Sequence, residues 1–202
     1  MRTISLIRHA KTQGNLERRY IGRTDEPLCC EGRTALKRMI DASAYPAVEL
    51  VFSSPMKRCI ETAAQIYPAS KPRVIPGLRE CDFGNFEGKT YEELRDDPAY
   101  QRFLDSGGSG LIPNGESTES YKQRCLAALA EVLHDIEAAN AEQAAVICHG
   151  GTIMSILEAY HQEKKAFYDY QVENCGGYIG TFDERKQLFV SLQRISIPRE
   201  PF

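Results

Sequence analysis

Apolar residues in this chain gather into short runs that stop abruptly, and each stop gives way to a chemically distinctive group of residues. Thr3-Ile4-Ser5-Leu6-Ile7 reads as a strand that ends at Arg8-His9, with small and polar residues beyond. Val48-Glu49-Leu50-Val51-Phe52 is a second strand, ending at Ser53-Ser54-Pro55, and Lys71 to Ile75 is a third, ending at Pro76-Gly77. Ala144-Ala145-Val146-Ile147-Cys148 is apolar throughout, as a central parallel strand should be, and stops at His149-Gly150-Gly151. Tyr178 to Phe182 and Gln187 to Ile195, joined by a short charged turn, form a hairpin.

Helical spacing fills the intervals. Leu28 to Ala44 carries the stripe Ala35, Leu36, Met39 and Ile40. Ser54 as N-cap with Pro55 in the first turn predicts a helix running to about Tyr67, burying Cys59 or Ile60, Ala63 and Tyr67. Thr90 to Leu104 is helical with a break at Pro98. Ser117 or Thr118 caps the longest helix, with Tyr121, Cys125, Ala128, Leu129, Val132 and Ile136 on one face. A last helix begins after Gly151, with Ile153, Ile156, Leu157 and Tyr160 apolar. Asn15 to Pro27 reads as loop, and Asp105 to Gly115, rich in Gly and Ser, as a surface flap. His134 lies off its helix's stripe, and His161 sits in a polar stretch with no assigned role.

The 202 residues suit one domain, 1–202, with a helical and flap insertion at about 90–115. A net charge of -3 with no Lys/Arg run argues against nucleic acid as a partner, while leaving room for a basic pocket around a small anion. The opening apolar run is too short for a signal segment and no stretch reaches transmembrane length, so no membrane partner is expected. Seven scattered cysteines, an odd number, indicate reduced thiols and a cytoplasmic location. No Cys-x-x-Cys pair occurs, Cys29-Cys30 are adjacent, and Cys148 and His149 alternate across a strand; neither metal nor other cofactor is expected.

Two of the four histidines, His9 and His149, stand at the carboxyl ends of apolar strands, where ligands of open α/β sheets collect. Arg8 accompanies the first, and Arg58 lies early in a helix, close to its positive end. The acidic stretch Leu78-Arg79-Glu80-Cys81-Asp82-Phe83-Gly84-Asn85-Phe86-Glu87-Gly88 has glycines spaced for a tight fold and phenylalanines to anchor it. Two imidazoles, two guanidiniums and a carboxylate suit phosphoryl transfer without metal; no Gly-x-x-x-x-Gly-Lys loop points to a nucleoside triphosphate.

These segments resemble the histidine phosphatase superfamily, the phosphoglycerate mutase-like proteins. Arg8-His9-Ala10-Lys11-Thr12-Gln13-Gly14-Asn15 resembles its signature, with Ala10 where Gly is usual. Ser53-Ser54-Pro55 with Arg58 and Glu61-Thr62-Ala63, then Leu78 to Gly88, then His149-Gly150-Gly151, resemble its later motifs in order. Phe86 stands where many members carry a larger aromatic. The resemblance implies a three-layer α/β/α sandwich, mostly parallel with an antiparallel edge. It implies His9 as the nucleophile that becomes phosphorylated, and Glu80 as proton donor. Arg8, Arg58 and His149 would bind phosphate, with Asn15, Gly22 and Gly150 assisting.

Physically, His9 must attack as neutral imidazole, its other ring nitrogen donating to a backbone carbonyl. Glu80 must begin protonated and later act as base on water, helped by partial burial or by neighbouring carboxylates, for which Asp82 and Glu87 are the candidates. The region Gly88 to Ser120 is short and acidic, unlike the basic insertion of the glycolytic mutases, which favours a phosphatase of a small phosphorylated metabolite. Chain length, Leu-Arg-Glu-x-x-Phe-Gly and Gly115-Glu116-Ser117 look most like the α-ribazole phosphatases, hence α-ribazole 5'-phosphate as substrate. A mutase-type phosphotransferase and a non-catalytic phospho-ligand binder are the rival readings; a homodimer is compatible with either.

Overall fold

A computed structural model describes residues 1–196. Six strands form one sheet: β1 (Arg2–Arg8), β2 (Leu50–Ser53), β3 (Arg73–Val74), β4 (Gln143–Cys148), β5 (Gly177–Asp183) and β6 (Leu188–Ile195), in the order β3-β2-β4-β1-β5-β6. The first four are mutually parallel, and β5 and β6 add the antiparallel edge that the sequence leads one to expect. Helices are α1 (Gln13–Leu16), α2 (Cys30–Asp41), α3 (Lys57–Ile66), α4 (Tyr91–Leu94), α5 (Pro98–Asp105), α6 (Thr118–Ala138) and α7 (Gly150–Tyr160).

Strand alternation decides the layers. Ile4 and Leu6 of β1 and Ala144, Val146 and Cys148 of β4 face one cluster, completed by Leu129, Val132 and Ile136 of α6 and Ile153, Ile156 and Leu157 of α7. Ile7, Ala145 and Ile147 face the other side, where Leu36 and Met39 of α2 and Cys59 and Ala63 of α3 cover them. Both faces of β4 are therefore buried, which is why its sequence is apolar without alternation. A third cluster, including Phe86, Leu94, Tyr100, Phe103, Ile112 and Tyr121, lies where the insertion folds against α6.

Several boundaries depart from the sequence reading. The segment after β1 is not all loop: Thr12 and Asn15 form a capping box around α1. β3 shrinks to two residues because, at the sheet edge, it pairs only with β2. In the insertion the break comes before Pro98, with Thr90 and Asp97 capping the two short helices. α3 begins at Lys57, not at Pro55, and Met56 at its N-cap position makes no side-chain cap. The expected cap, Ser54, accepts the Met56 N–H (3.4 Å), ahead of the helix, while its Oγ lies closer to His149 Nε2, at 2.8 Å. Asp25, 32 residues earlier, accepts the Lys57 N–H (2.7 Å). His161, in its polar stretch, is buried, its Nδ1 2.9 Å from the Tyr170 hydroxyl; His134 is exposed, off the buried stripe as expected. Among the described residues no helix is long and apolar enough to cross a membrane.

Leu129 is fully buried between α6 and the sheet. Truncation by Leu129→Ala should cost about 2–5 kcal/mol of unfolding free energy, the usual range for such a cavity. Urea unfolding monitored by circular dichroism measures it, and a loss below about 1 kcal/mol would contradict this core assignment.

Candidate active site

Parallel pairing of β1 with β4 runs level from Thr3↔Gln143 to Arg8↔Cys148. The next residue on each strand is a histidine, so the two come side by side; the His9 N–H donates to the Cys148 carbonyl (3.0 Å), and the ring centroids are 5.1 Å apart. β2 lies on the other flank of β4 and delivers Ser54 to the same end of the sheet.

His9 is 4% exposed, and its Nδ1 donates to the Ala10 carbonyl (2.7 Å). That bond fixes the tautomer and leaves Nε2 as a lone-pair nitrogen, the arrangement expected of a nucleophile. Burial lowers the pKa of His9 well below the usual 6.5, and the nearby guanidiniums of Arg58 and Arg8 push the same way. His149, fully buried, is held neutral by burial and then by Arg58. Its Nε2 lies 2.8 Å from Ser54 Oγ, and its Nδ1 accepts from Arg58 Nε (3.4 Å). The hydroxyl that would have capped α3 thus orients an imidazole of the site.

Arg58 has no exposed surface and, among the described residues, no carboxylate partner. Its NH1 and NH2 donate to the carbonyls of Thr24 and Gly22, both at 2.8 Å. Arg8 NH1 donates to the Val172 carbonyl (2.7 Å), while its buried Nε has no partner among the described residues. A buried cation costs several kcal/mol unless an opposite charge or a full set of acceptors meets it. Two guanidiniums without a paired carboxylate, beside two neutral imidazoles, thus form a receptor for an anion.

The loop that orients Arg58 is itself tied. Glu87 accepts the N–H groups of Gly22 (2.8 Å) and Thr24 (2.9 Å) and that of Phe83 (3.3 Å). Asp82 accepts from Gly84 N–H (2.9 Å) and pairs with Arg23 (3.4 Å). These two carboxylates therefore brace loops. Gly22 is required by close approach: a Cβ there would stand 1.8 Å from the Cys81 carbonyl oxygen. It shapes the cradle through its carbonyl bond to Arg58. Gly150, the first residue of α7, brings backbone to the Arg8 guanidinium, with 3.4 Å between its would-be Cβ and Arg8 Cζ. Asn15 Oδ1 accepts from Thr12 N–H (3.1 Å) and Asn174 Nδ2 (3.3 Å), which leaves its own Nδ2 for a ligand.

Glu80 reaches the site from the loop after β3. Its Oε1 accepts from the Tyr121 hydroxyl and from the Cys81 N–H (3.0 Å), and a Cβ on Gly151 would touch it at 2.8 Å. Arg124 of α6 steadies this loop by bonding the carbonyls of Gly77, Arg79 and Glu80 while paired to Glu116. A cavity of about 400 Å³ opens beside Glu80, walled by Tyr20, Phe83, Phe103, Ile112, Phe167 and Tyr168 among others. The structure thus gathers His9, Arg8, Arg58, His149, Gly150 and Glu80, with Asn15 and Gly22 alongside. Sequence reading missed Ser54 as a partner of His149, Asn174, Tyr121 and Thr62, whose Oγ1 accepts the Ala10 N–H (3.0 Å). For Tyr121 a signal existed: a hydroxyl on an apolar stripe needs a buried partner.

A family model for the histidine phosphatase superfamily (branch 1) matches residues 4–194. The chain belongs to that superfamily. It is 34% identical over 137 residues to the "Probable phosphoglycerate mutase GpmB" of Enterobacter sp. (strain 638), a stretch covering 66% of this chain and 64% of that one. The chain thus aligns with somewhat less than two thirds of that relative's length. "Phosphoglycerate mutase-like protein 4" of Arabidopsis thaliana is 34% identical over 164 residues, covering 77% of this chain and 69% of its own. The α-ribazole phosphatase of Shigella flexneri superimposes with a TM-score of 0.82 over 98% of this chain and 100% of its own, at 21% identity, which shows the shared fold.

With His9 and His149 depressed below 6.5 in the folded protein, the unfolded chain binds protons first as pH falls. Stability contributed by the two neutral imidazoles is complete above about pH 6.5 and declines below it, by up to about 1.4 kcal/mol per pH unit per histidine. Urea midpoints should drop between pH 7 and pH 5, and His9→Asn should flatten part of that slope. An unchanged slope would contradict a buried neutral His9.

Proposed function

We propose that the chain is a metal-independent phosphomonoesterase that works through a phosphohistidine on a small phosphorylated metabolite. One observation carries this reading: a neutral His9, its Nε2 unprotonated, beside the buried guanidinium of Arg58 and the half-buried one of Arg8, neither paired with a described carboxylate. A phosphoryl dianion supplies the missing charge. Nε2 attacks phosphorus as the ester P–O bond breaks, and Glu80 gives its proton to the departing oxygen. Glu80 then takes a proton from water, whose oxygen attacks the phosphohistidine. Inorganic phosphate leaves and neutral His9 is restored.

The cavity beside Glu80 takes the alcohol half of the ester, and its aromatic walls favour a bulky, flat or apolar group. α-Ribazole 5'-phosphate, with an aromatic base, suits such walls. The names of the curated relatives favour a phosphoglycerate mutase instead. A phosphoglycerate, however, brings a carboxylate into this cavity. The cation lining it, Lys122, is already paired with Glu158 (2.6 Å) and stacked over Phe167. The cavity chemistry therefore favours hydrolysis of a phosphomonoester with a large leaving alcohol. Seven free thiols support a cytoplasmic setting.

Incubation with a phosphomonoester should leave acid-labile phosphate on the wild-type protein and none on His9→Ala, with turnover abolished in the variant. Loss of one phosphate donor, as in Arg58→Ala, should lower kcat by roughly 10²–10³. A panel of α-ribazole 5'-phosphate, phosphoglycerates, a sugar phosphate and an aryl phosphate tests the substrate class. Efficient phosphoryl exchange between phosphoglycerates would overturn the phosphatase reading.

A further inference from the structure

The two oxygens of Glu80 are not equivalent. Oε1 receives two hydrogen bonds, one from the Tyr121 hydroxyl and one from the Cys81 N–H (3.0 Å). Among the described residues Oε2 receives none. Tyr121 is 4% exposed, comes from the apolar face of α6, and also borders the leaving-group cavity. Its oxygen lies 3.1 Å from Thr152 Oγ1 of α7. Having spent its one proton on Glu80, the phenol accepts from Thr152, whose other acceptor, the Leu78 carbonyl, is farther away at 3.5 Å, so the chain of donors runs Thr152 to Tyr121 to Glu80.

An oxygen already saturated by two donors is a poor seat for a third hydrogen. We propose that Tyr121 is a positioning residue that, together with the Cys81 N–H, reserves Oε1 as an acceptor and makes Oε2 the oxygen that delivers the proton. The inference rests on the phosphatase reading and deepens it. In the first half-reaction the proton on Oε2 passes to the leaving oxygen while the P–O bond breaks and the bond from His9 Nε2 to phosphorus forms. In the second, Oε2 receives a proton from the attacking water. Through both, the Tyr121 proton stays between its own oxygen and Oε1. Without it the carboxyl is free to rotate and to place its hydrogen on either oxygen, so only part of the population has the acid aimed at the ester.

The consequence depends on the leaving group, which separates this role from a structural one. An alkyl phosphate needs the acid; an aryl phosphate with a weakly basic phenolate hardly does. Comparing kcat/KM confines the reading to steps up to the first irreversible one. For Tyr121→Phe, kcat/KM should fall at least about tenfold on an alkyl phosphomonoester, the worth of a hydrogen bond to a charged group, and less than about twofold on p-nitrophenyl phosphate. Inhibition by inorganic phosphate should be unchanged, since the cradle is untouched. Equal losses on both esters, or no loss on either, overturn the role of Tyr121. Should Tyr121→Phe fail to fold, Thr152→Val removes the donor behind the phenol and must show the same dependence on leaving group in weaker form, or the proposal fails. Wild-type protein that hydrolyses neither ester refutes the phosphatase reading itself.

Discussion

Everything at this site depends on the level pairing of two parallel strands. Because β1 and β4 run together from Thr3↔Gln143 to Arg8↔Cys148, the residues that leave the sheet next must emerge as neighbours, about one strand spacing apart. Both are histidines. A slip of one residue would turn a ring toward the opposite face and bury it under α2 and α3 or under α6 and α7. The alternating faces of both strands prevent that slip. Ile4, Leu6, Val146 and Cys148 fill one core, and Ile7, Ala145 and Ile147 fill the other. The packing that stabilises the sheet is thus the same packing that fixes the distance between the rings of His9 and His149.

Positive charge is the second constraint, because a site with two guanidiniums and no paired carboxylate must hold its cations by other means. The chain meets this with carbonyl oxygens instead of carboxylates. Arg58 is bound by Gly22, Thr24 and the ring of His149, and Arg8 by Val172. A carboxylate partner would stabilise each guanidinium more, yet it would cancel the charge that attracts the ligand. Carboxylates stand one layer further out. Glu87 grips the backbone of the loop that binds Arg58, and Asp25 takes the open N–H at the start of α3. The acidic groups so hold the frame without neutralising the site.

Much of this is visible in the chain because strand ends announce themselves. A wholly apolar run that stops at His-Gly-Gly marks a buried strand opening onto a site, and the two histidines, Arg8 and Arg58 stand out by position, while Glu80 is picked from three carboxylates only by the family resemblance. The hidden part depends on partners distant in sequence. Ser54 carries a strong local preference for capping α3, but Ser54 Oγ lies 2.8 Å from His149 Nε2, 95 residues away, and the helix begins at Lys57, beyond the Pro55 start that the sequence indicates. Asn174 sits in a connecting segment without periodicity. It matters only because its Nδ2 reaches the His9 carbonyl (3.0 Å), a contact that topology makes and sequence spacing does not show. Glu80, Asp82 and Glu87, three carboxylates in one short loop, look like mutual neighbours. The tight turn at Gly84, with φ +48, turns the last two to separate backbone targets instead.

Two regions of different construction meet at this site. The imidazoles and guanidiniums are carried by strand termini and the first turns of α3 and α7, which the core holds on both faces of the sheet. The cavity beside Glu80 is walled by the insertion, the flap and the segment around Phe167, with the insertion packed in a cluster of its own. Side chains in that outer cluster can change size without shifting a strand, so the cavity can vary while the charged end stays fixed. Glu80 and Tyr121 stand on the seam between the two regions. Tyr121 belongs to the outer cluster, touches Thr152 at the start of α7, and bonds the Glu80 carboxylate. A change in the cavity that moved α6 would therefore reach Glu80 directly, and the two histidines and arginines hardly at all.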